Sequence, residues 1–385
     1  MNNTQKLLEV LGKNAKRAKS TASYGTIADT ARNYRWIDFC DPKNGNCPAL
    51  ALEWLWGARG MLTGRMLKID APEGSGKSSY IMLQYAMGQK MNNAFCIHEE
   101  TEHAIAPPDY IASFGADPDG IIFPQLDVRS LENIFADIDW TCLQIRSDVD
   151  PDKKSPIIVG LDSISAAGSS DAAEDETFEL NKGGISEVAR LVSKYFRDRF
   201  DSLAKKDVLL VIIAQQRHKI QTGGFTRPGE PKMTTIAAQT LDYHASYRLT
   251  MFASAIKDTG KQIGDLVTFT VKKNKLSPKA RQISIPLIWG HGFDLQSPFV
   301  EMVAKNPIIL PSGDTFAIEQ SSYVKCPMLG FSARSSAEAK NELMQMVYAN
   351  APLLAQIREA LQIRGFGFAF EKWEPEAPSE IPEDA

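Results

Sequence analysis

The stretch Ala71-Pro72-Glu73-Gly74-Ser75-Gly76-Lys77-Ser78-Ser79 combines small, flexible residues with one lysine and adjacent hydroxyls. An apolar run, Met66-Leu67-Lys68-Ile69-Asp70, precedes it and reads as a strand; Tyr80 to Met87 follows and reads as a helix. A glycine-rich turn between a buried strand and a helix N-terminus lets backbone N–H groups converge on phosphate oxygens. Lys77 then reaches the β- and γ-phosphates, and the Ser78 hydroxyl helps to complete a Mg²⁺ shell. Pro72, Glu73, Gly74, Ser75, Gly76 and Ser79 form the remainder of the expected triphosphate cradle. Ala71 stands where the usual pattern begins with glycine, a change that a negative φ tolerates. A nucleoside triphosphate is the ligand these residues imply.

Three further strand ends carry chemistry. Ile157 to Leu161 is apolar and ends in Asp162, an acid placed to hold the metal directly or through water. Phe95-Cys96-Ile97-His98-Glu99-Glu100-Thr101-Glu102-His103 sets carboxylates just past a buried strand, where a base could orient the attacking water. Strand register favours Glu99 for that role, with Glu100 next. Val211 to Ala214 ends at Gln215-Gln216. A neutral amide at Gln215 can bond the γ-phosphate and lose that bond after hydrolysis. The loop that follows carries Arg217, Lys219, Phe225 and Arg227 among glycines and prolines. Cations that neutralise phosphates and a ring that stacks on bases fit a DNA contact.

The elements that must position these residues alternate between about 66 and 289. Ala94–Ile97, Ile157–Leu161 and Val208–Ala214 are short, continuous and rich in branched residues, as buried parallel strands are. Leu131, Ile134, Phe135, Ile138, Cys142, Leu143 and Ile145 mark one helix face, and a second helix spans roughly 185–203. Tyr247–Phe252, Leu266–Lys273 and Ile283–Trp289 are joined by short connections and suggest an antiparallel extension. The expected fold is a parallel α/β core with helices on both faces. Beyond Pro298 the pattern becomes helical, at 338–349 and 353–363. The expected organisation is an N-terminal helix and linker (1–48), a core (49–297), a small C-terminal domain (298–370) and an acidic tail (371–385).

With 385 residues, 43% of them hydrophobic, and no apolar run long enough to span a bilayer, the chain reads as an ordinary globular protein. Its start lacks a signal-peptide core, and five scattered cysteines argue against a disulfide framework, so a cytoplasmic location is expected. The net charge of -4 owes much to the proline-interrupted acidic tail; basic residues cluster near the start, at 217–219 and at 272–281.

The order of these motifs resembles the RecA family of homologous-recombination ATPases, bacterial or bacteriophage in type, over most of the chain. Leu50 to Arg65, ending in Gly64-Arg65, is similar to the family's segment before the phosphate loop. Pro108-Asp109-Tyr110 followed by Phe114-Gly115 resembles the pattern in which a tyrosine stacks on adenine. Gln215-Gln216-Arg217-His218-Lys219-Ile220 resembles Gln-Ile-Arg-Met-Lys-Ile, and Lys273-Asn274-Lys275 resembles Lys-Asn-Lys. The resemblance implies a RecA-type phosphate-loop ATPase core and ATP with Mg²⁺ as cofactors. It places Tyr110 on adenine, and Lys273 and Lys275 on the γ-phosphate bound to a neighbouring subunit. It implies a helical homo-oligomeric filament on single-stranded DNA that pairs with double-stranded DNA, with single-strand-binding and loader proteins as partners and no membrane. The N-terminal helix would pack on an adjacent protomer, and the tail would be autoinhibitory.

Departures mark a divergent member. Glu99-Glu100-Thr101 is closer to the KaiC-like branch; Glu102-His103-Ala104 resembles the recombinase Glu-His-Ala but lies further from the strand, so the resemblance adds Glu102 to Glu99 and Glu100 as a candidate base. Thr234 to Gln239 stands where the bacterial pattern has Thr-Gly-Gly. The first DNA loop, about 169–184, is acidic, with Lys182 its one cation. The competing readings are a hexameric RecA-fold helicase or motor, which would need an assembly domain and an arginine finger, and a KaiC-like regulatory ATPase indifferent to DNA.

Overall fold

The computed structural model describes residues 34–101, 106–126, 130–164, 184–215, 217–218, 233–234, 237–276 and 281–363. The N-terminal helix, Glu102, the acidic first loop with Lys182, most of the second loop and the tail lie outside the described residues. Chain contacts divide the protein into two units: Met1–Asp38 with Gly60–Met251, and Phe39–Arg59 with Phe252–Ala385. The division cuts differently from linear boundaries at 49, 297 and 370, because residues 39–59 and 252–297 group with the C-terminal elements.

In the first unit, β1 (Arg65–Ala71), α1 (Lys77–Asn92), β2 (Phe95–Glu100), α2 (Leu131–Gln144), β3 (Ile157–Asp162), α3 (Gly184–Lys205), β4 (Val208–Gln215) and α4 (Ala238–His244) succeed one another. The start of β5 (Tyr247–Asp258) completes the sheet. Its order is β5-β1-β4-β3-β2, then a short strand at Ile121–Ile122. Every one of these pairings is parallel. Strands buried on both faces need apolar side chains in both directions, which is why 208–214 and 157–161 carry almost no polar residue. Side chains alternate between the two faces. Ile157, Val159 and Leu161 join a core cluster with Leu131, Ile134 and Ile138 of α2 and Val192 and Phe196 of α3. Ile158 and Gly160 point the other way, against Gly88, Ile81 and Tyr85 of α1.

The helical stripe of α2 is buried as expected except at Leu143, which is 49% exposed. There the helix passes into a single wide turn, Ile145–Val149, anchored by buried Arg146 through Asp150 at 2.7 Å. β2 is longer than its apolar run: it continues through His98, Glu99 and Glu100.

The second unit holds the antiparallel extension. β6 (Lys261–Asn274) pairs with β7 (Gln282–Ile288) from Gly264↔Ile288 to Thr270↔Gln282. The helix Leu50–Trp56 is buried along its whole length and stops at Gly57, whose φ of 59° is left-handed. Its Glu53, fully buried, accepts a fork of hydrogen bonds from Arg358 at 2.7–3.2 Å. Arg281 lies with its guanidinium 5.5 Å from the Trp54 ring centroid, and burial lowers its pKa to about 10. α5 (Ser297–Lys305), α6 (Ala337–Ala349) and α7 (Ala351–Ile363) follow. Short antiparallel strands between Ile308 and Arg334 stand where the sequence shows no periodic signal.

Candidate active site

The parallel ladders bring four strand ends to one edge of the sheet. β1 ends at Ala71, directly opposite Gln215 of β4. β2 ends at Glu100, directly opposite Asp162 of β3. In an open α/β sheet the carboxyl edge is where ligands sit.

The loop from β1 to α1 has the conformation its glycines allow: Gly74 and Gly76 take φ of 71° and 78°. A side chain is excluded at Gly74 by this conformation and not by crowding, since a Cβ there would meet no atom within 4 Å. The loop is braced from within. Ser75 Oγ and Lys77 Nζ both donate to the Pro72 carbonyl, at 2.6 and 2.8 Å. Ser79 Oγ and Tyr110 Oη share a 2.6 Å hydrogen bond, so the tyrosine is tethered to the first turn of α1. The Tyr110 ring is 39% exposed and rests edge-on against Phe114. A glycine-bearing loop leading into a helix N-terminus, with a lysine at the first helical position, has the donor types that phosphate oxygens take. Ser78 and Asp162 offer the all-oxygen donors that a hard Mg²⁺ takes.

The acids differ from the expected order. Because β2 runs on through Glu100, the pairing Glu99↔Leu161 puts Glu99 on the face covered by α2 and α3, fully buried. Glu100 shares the α1 face with Asp162. His98, two residues earlier, is on that face as well: its Nε2 is 3.8 Å from Glu100 Oε2, and its Nδ1 is 3.2 Å from Tyr85 Oη. Thr101 ties the two strand ends together, its N–H donating to Asp162 O at 2.8 Å and its hydroxyl to Ser163 O at 2.6 Å. The Asp162–Ser163 peptide bond is cis.

Sequence reasoning assigned nothing to His98 or Tyr85. The signal available was the two-residue spacing of His98 and Glu100, which puts both on one face of a strand. It also passed over the charged network behind the loop. Lys68, 1% exposed on β1, pairs with Asp70 at 2.8 Å and Asp242 of α4 at 2.7 Å; Arg248 of β5 reaches Asp242 at 3.0 Å. Burial pushes the Asp70 carboxyl above its ordinary range against the pull of Lys68 and Arg248.

Of the expected DNA contacts, the strand at Arg217–His218 pairs antiparallel with Met233–Thr234. Gln216, Lys219, Phe225 and Arg227 fall outside the described residues. Lys273 and Lys275 belong to the second unit, at the end of β6; Lys273 is half-buried and Lys275 exposed. No helix among the described residues is long and apolar enough to cross a membrane.

Fold and site together define a phosphate-loop nucleotide-binding protein of the doubly wound α/β class. The model of the RecA N-terminal domain matches residues 40–294. Curated relatives named Protein RecA are similar along most of their length. That of Parvibaculum lavamentivorans is 25% identical over 340 residues, 88% of this chain and 83% of the relative. Those of Amycolatopsis mediterranei and Xanthomonas euvesicatoria are 27% and 29% identical over 272 and 266 residues, 70% and 69% of this chain and 72% of each relative. The chain belongs to the RecA family.

Proposed function

We propose that this protein is an ATP-dependent recombinase that assembles as a helical filament on single-stranded DNA and exchanges strands with a homologous duplex. The observation that supports it most is the convergence on one sheet edge of the phosphate loop, Asp162, Glu100 and Gln215. Gln215 sits opposite the first residue of the loop and leads directly into the 216–235 segment.

In this reading the loop amides and Lys77 hold the β- and γ-phosphates, and Tyr110 packs on adenine. Ser78 and Asp162 would hold Mg²⁺, which would supply neutralisation of the phosphate charge. Glu100 accepts the proton of the attacking water as its oxygen bonds the γ-phosphorus and the bond to the bridging oxygen breaks, giving ADP and phosphate. Gln215 bonds the γ-phosphate while it is present, and its release after hydrolysis loosens the segment bearing Gln216, Arg217, Lys219, Phe225 and Arg227 from DNA. Lys273 and Lys275 complete the site on the neighbouring subunit, which makes hydrolysis depend on assembly. Lys182 supplies a weaker contact from the acidic first loop.

Steady-state ATP hydrolysis with and without single-stranded DNA tests this. DNA should stimulate the rate, and Glu100→Gln should lower the stimulated rate by roughly 10²–10⁴-fold, the span for a positioned general base. Glu99→Gln should keep most of it. Loss confined to Glu99→Gln would reject Glu100 as the base, and a rate indifferent to DNA would reject the recombinase reading and favour the regulatory ATPase.

A further inference from the structure

The buried face shared by β2, β3 and α1 carries an imidazole that the hydrolytic scheme does not use. His98 is 6% exposed. Tyr85, itself fully buried, donates its hydroxyl proton to the Ile97 carbonyl at 2.8 Å. At its 3.2 Å contact with His98 Nδ1 the tyrosine oxygen therefore has lone pairs to offer. Nδ1 is assigned the ring proton on that ground, and in the neutral ring the Nε2 lone pair is directed to the opposite side. On that side lies Glu100 Oε2, 3.8 Å away, too far for an imidazolium–carboxylate hydrogen bond. Asp162 adds a third group: one ligand atom from each of His98, Glu100 and Asp162 lies within 4.8 Å of the others, and all three residues are buried.

Two donors that each sit about 2.1 Å from one ion are at most about 4.2 Å apart. The His98–Glu100 spacing already satisfies this, and the 4.8 Å bound on all three ligand atoms leaves the Asp162 oxygen close to it. One imidazole nitrogen with two carboxylates suits a borderline transition ion better than Mg²⁺, which takes oxygen donors. A ring held by a partner on its other nitrogen is how metal-binding histidines are oriented.

We propose that His98, Glu100 and Asp162 form a binding site for a divalent transition ion of the zinc class, with Tyr85 as the positioning residue for the imidazole. Asp162 is common to this site and the Mg²⁺ site; His98 and Glu100 are not Mg²⁺ donors, and Ser78 is not a donor here. Resting on the hydrolysis scheme above, occupancy withdraws Glu100 from the attacking water and Asp162 from Mg²⁺, so the ion acts as a brake on turnover.

The test uses Co²⁺ as a spectroscopic stand-in, titrated into the full-length protein without nucleotide and followed by visible ligand-field absorption. One Co²⁺ per chain, displaced by Zn²⁺, is expected to disappear in His98→Asn and to persist in Ser78→Ala. Tyr85→Phe keeps all three ligands and should weaken binding by roughly 10–100-fold. Circular dichroism in chelator checks that each variant is folded; if His98→Asn is not, Glu100→Gln carries the same test. An unchanged spectrum and affinity in a folded His98→Asn or Glu100→Gln, or no absorption band in the unmodified protein, overturns the proposal. Because no nucleotide is present, that failure leaves the hydrolysis scheme untouched, and the ATPase rate of Glu100→Gln judges that scheme separately.

Discussion

Gly160 is the position where a single methyl group should report on the architecture of the site. It lies on β3 between the pair Ile158 and Asp162, facing α1. A Cβ there would stand 2.3 Å from Tyr85 Oη and 2.7 Å from Ile81 Cγ2, whereas ordinary contact begins at 3.4 Å. The hydroxyl must retreat by roughly 1 Å, and Tyr85 has no free space behind it because interiors are close-packed. Overpacking of this kind costs about 1–3 kcal/mol. Stretching the 2.8 Å bond from Tyr85 to Ile97 O forfeits a further contribution of about 0.5–1.5 kcal/mol. Gly160→Ala should therefore lose roughly 2–4 kcal/mol in urea unfolding. Tyr85→Phe removes the atom that is struck first, so the same alanine should cost less in that background. The double-mutant cycle should show a coupling of about 1–2 kcal/mol, within the range for residues in contact. A Gly160→Ala stability within 0.5 kcal/mol of the parent, or an equal cost in both backgrounds, would refute the packing of Tyr85 between β3 and His98.

Two other perturbations follow from burial. Arg358→Ala strands the Glu53 carboxylate inside the second unit and should cost about 3–5 kcal/mol, while Glu53→Leu with Arg358→Met should recover most of it; urea midpoints measure both, and a loss under 1 kcal/mol for the single change would contradict the buried pair. Burial pushes the Cys142 thiol up to about 12 and Cys96 higher still, so neither forms thiolate at pH 8. Half-exposed Cys47 should be the fast-reacting thiol of the native protein toward a maleimide, read by mass spectrometry of digests; early modification of Cys96 or Cys142 would show the first unit to be looser than described.

How much of this was written in the residue order depends on the element. β1, β3 and β4 are apolar runs ending in recognisable groups, so the loop, Asp162 and Gln215 fell where their spacing put them. The end of β2 did not. Its last three residues are His98, Glu99 and Glu100, and a rule that stops a buried strand at the first charge cuts it at Ile97. Parity then fails, because a strand changes face with every residue: Glu99 joins Leu161 toward α2 and α3, and Glu100 takes the place beside Asp162. Lys68 was visible as a cation inside an apolar run, but its partner Asp242 lies 174 residues away and only the fold joins them. Leu143 fits the helical stripe and still faces outward, where the helix gives way to a wide turn. The strands between Ile308 and Arg334 are two to four residues long, too short for alternation to show.

In the proposed function, nucleotide held at this sheet edge drives assembly on DNA. Negative-stain microscopy of the purified protein with single-stranded DNA and a non-hydrolysable ATP analogue, beside Lys77→Ala, tests it most directly. Helical filaments that need both nucleotide and DNA, and that are absent from the Lys77→Ala sample, are the expected result. Closed rings, or assembly that proceeds equally without DNA, would contradict it.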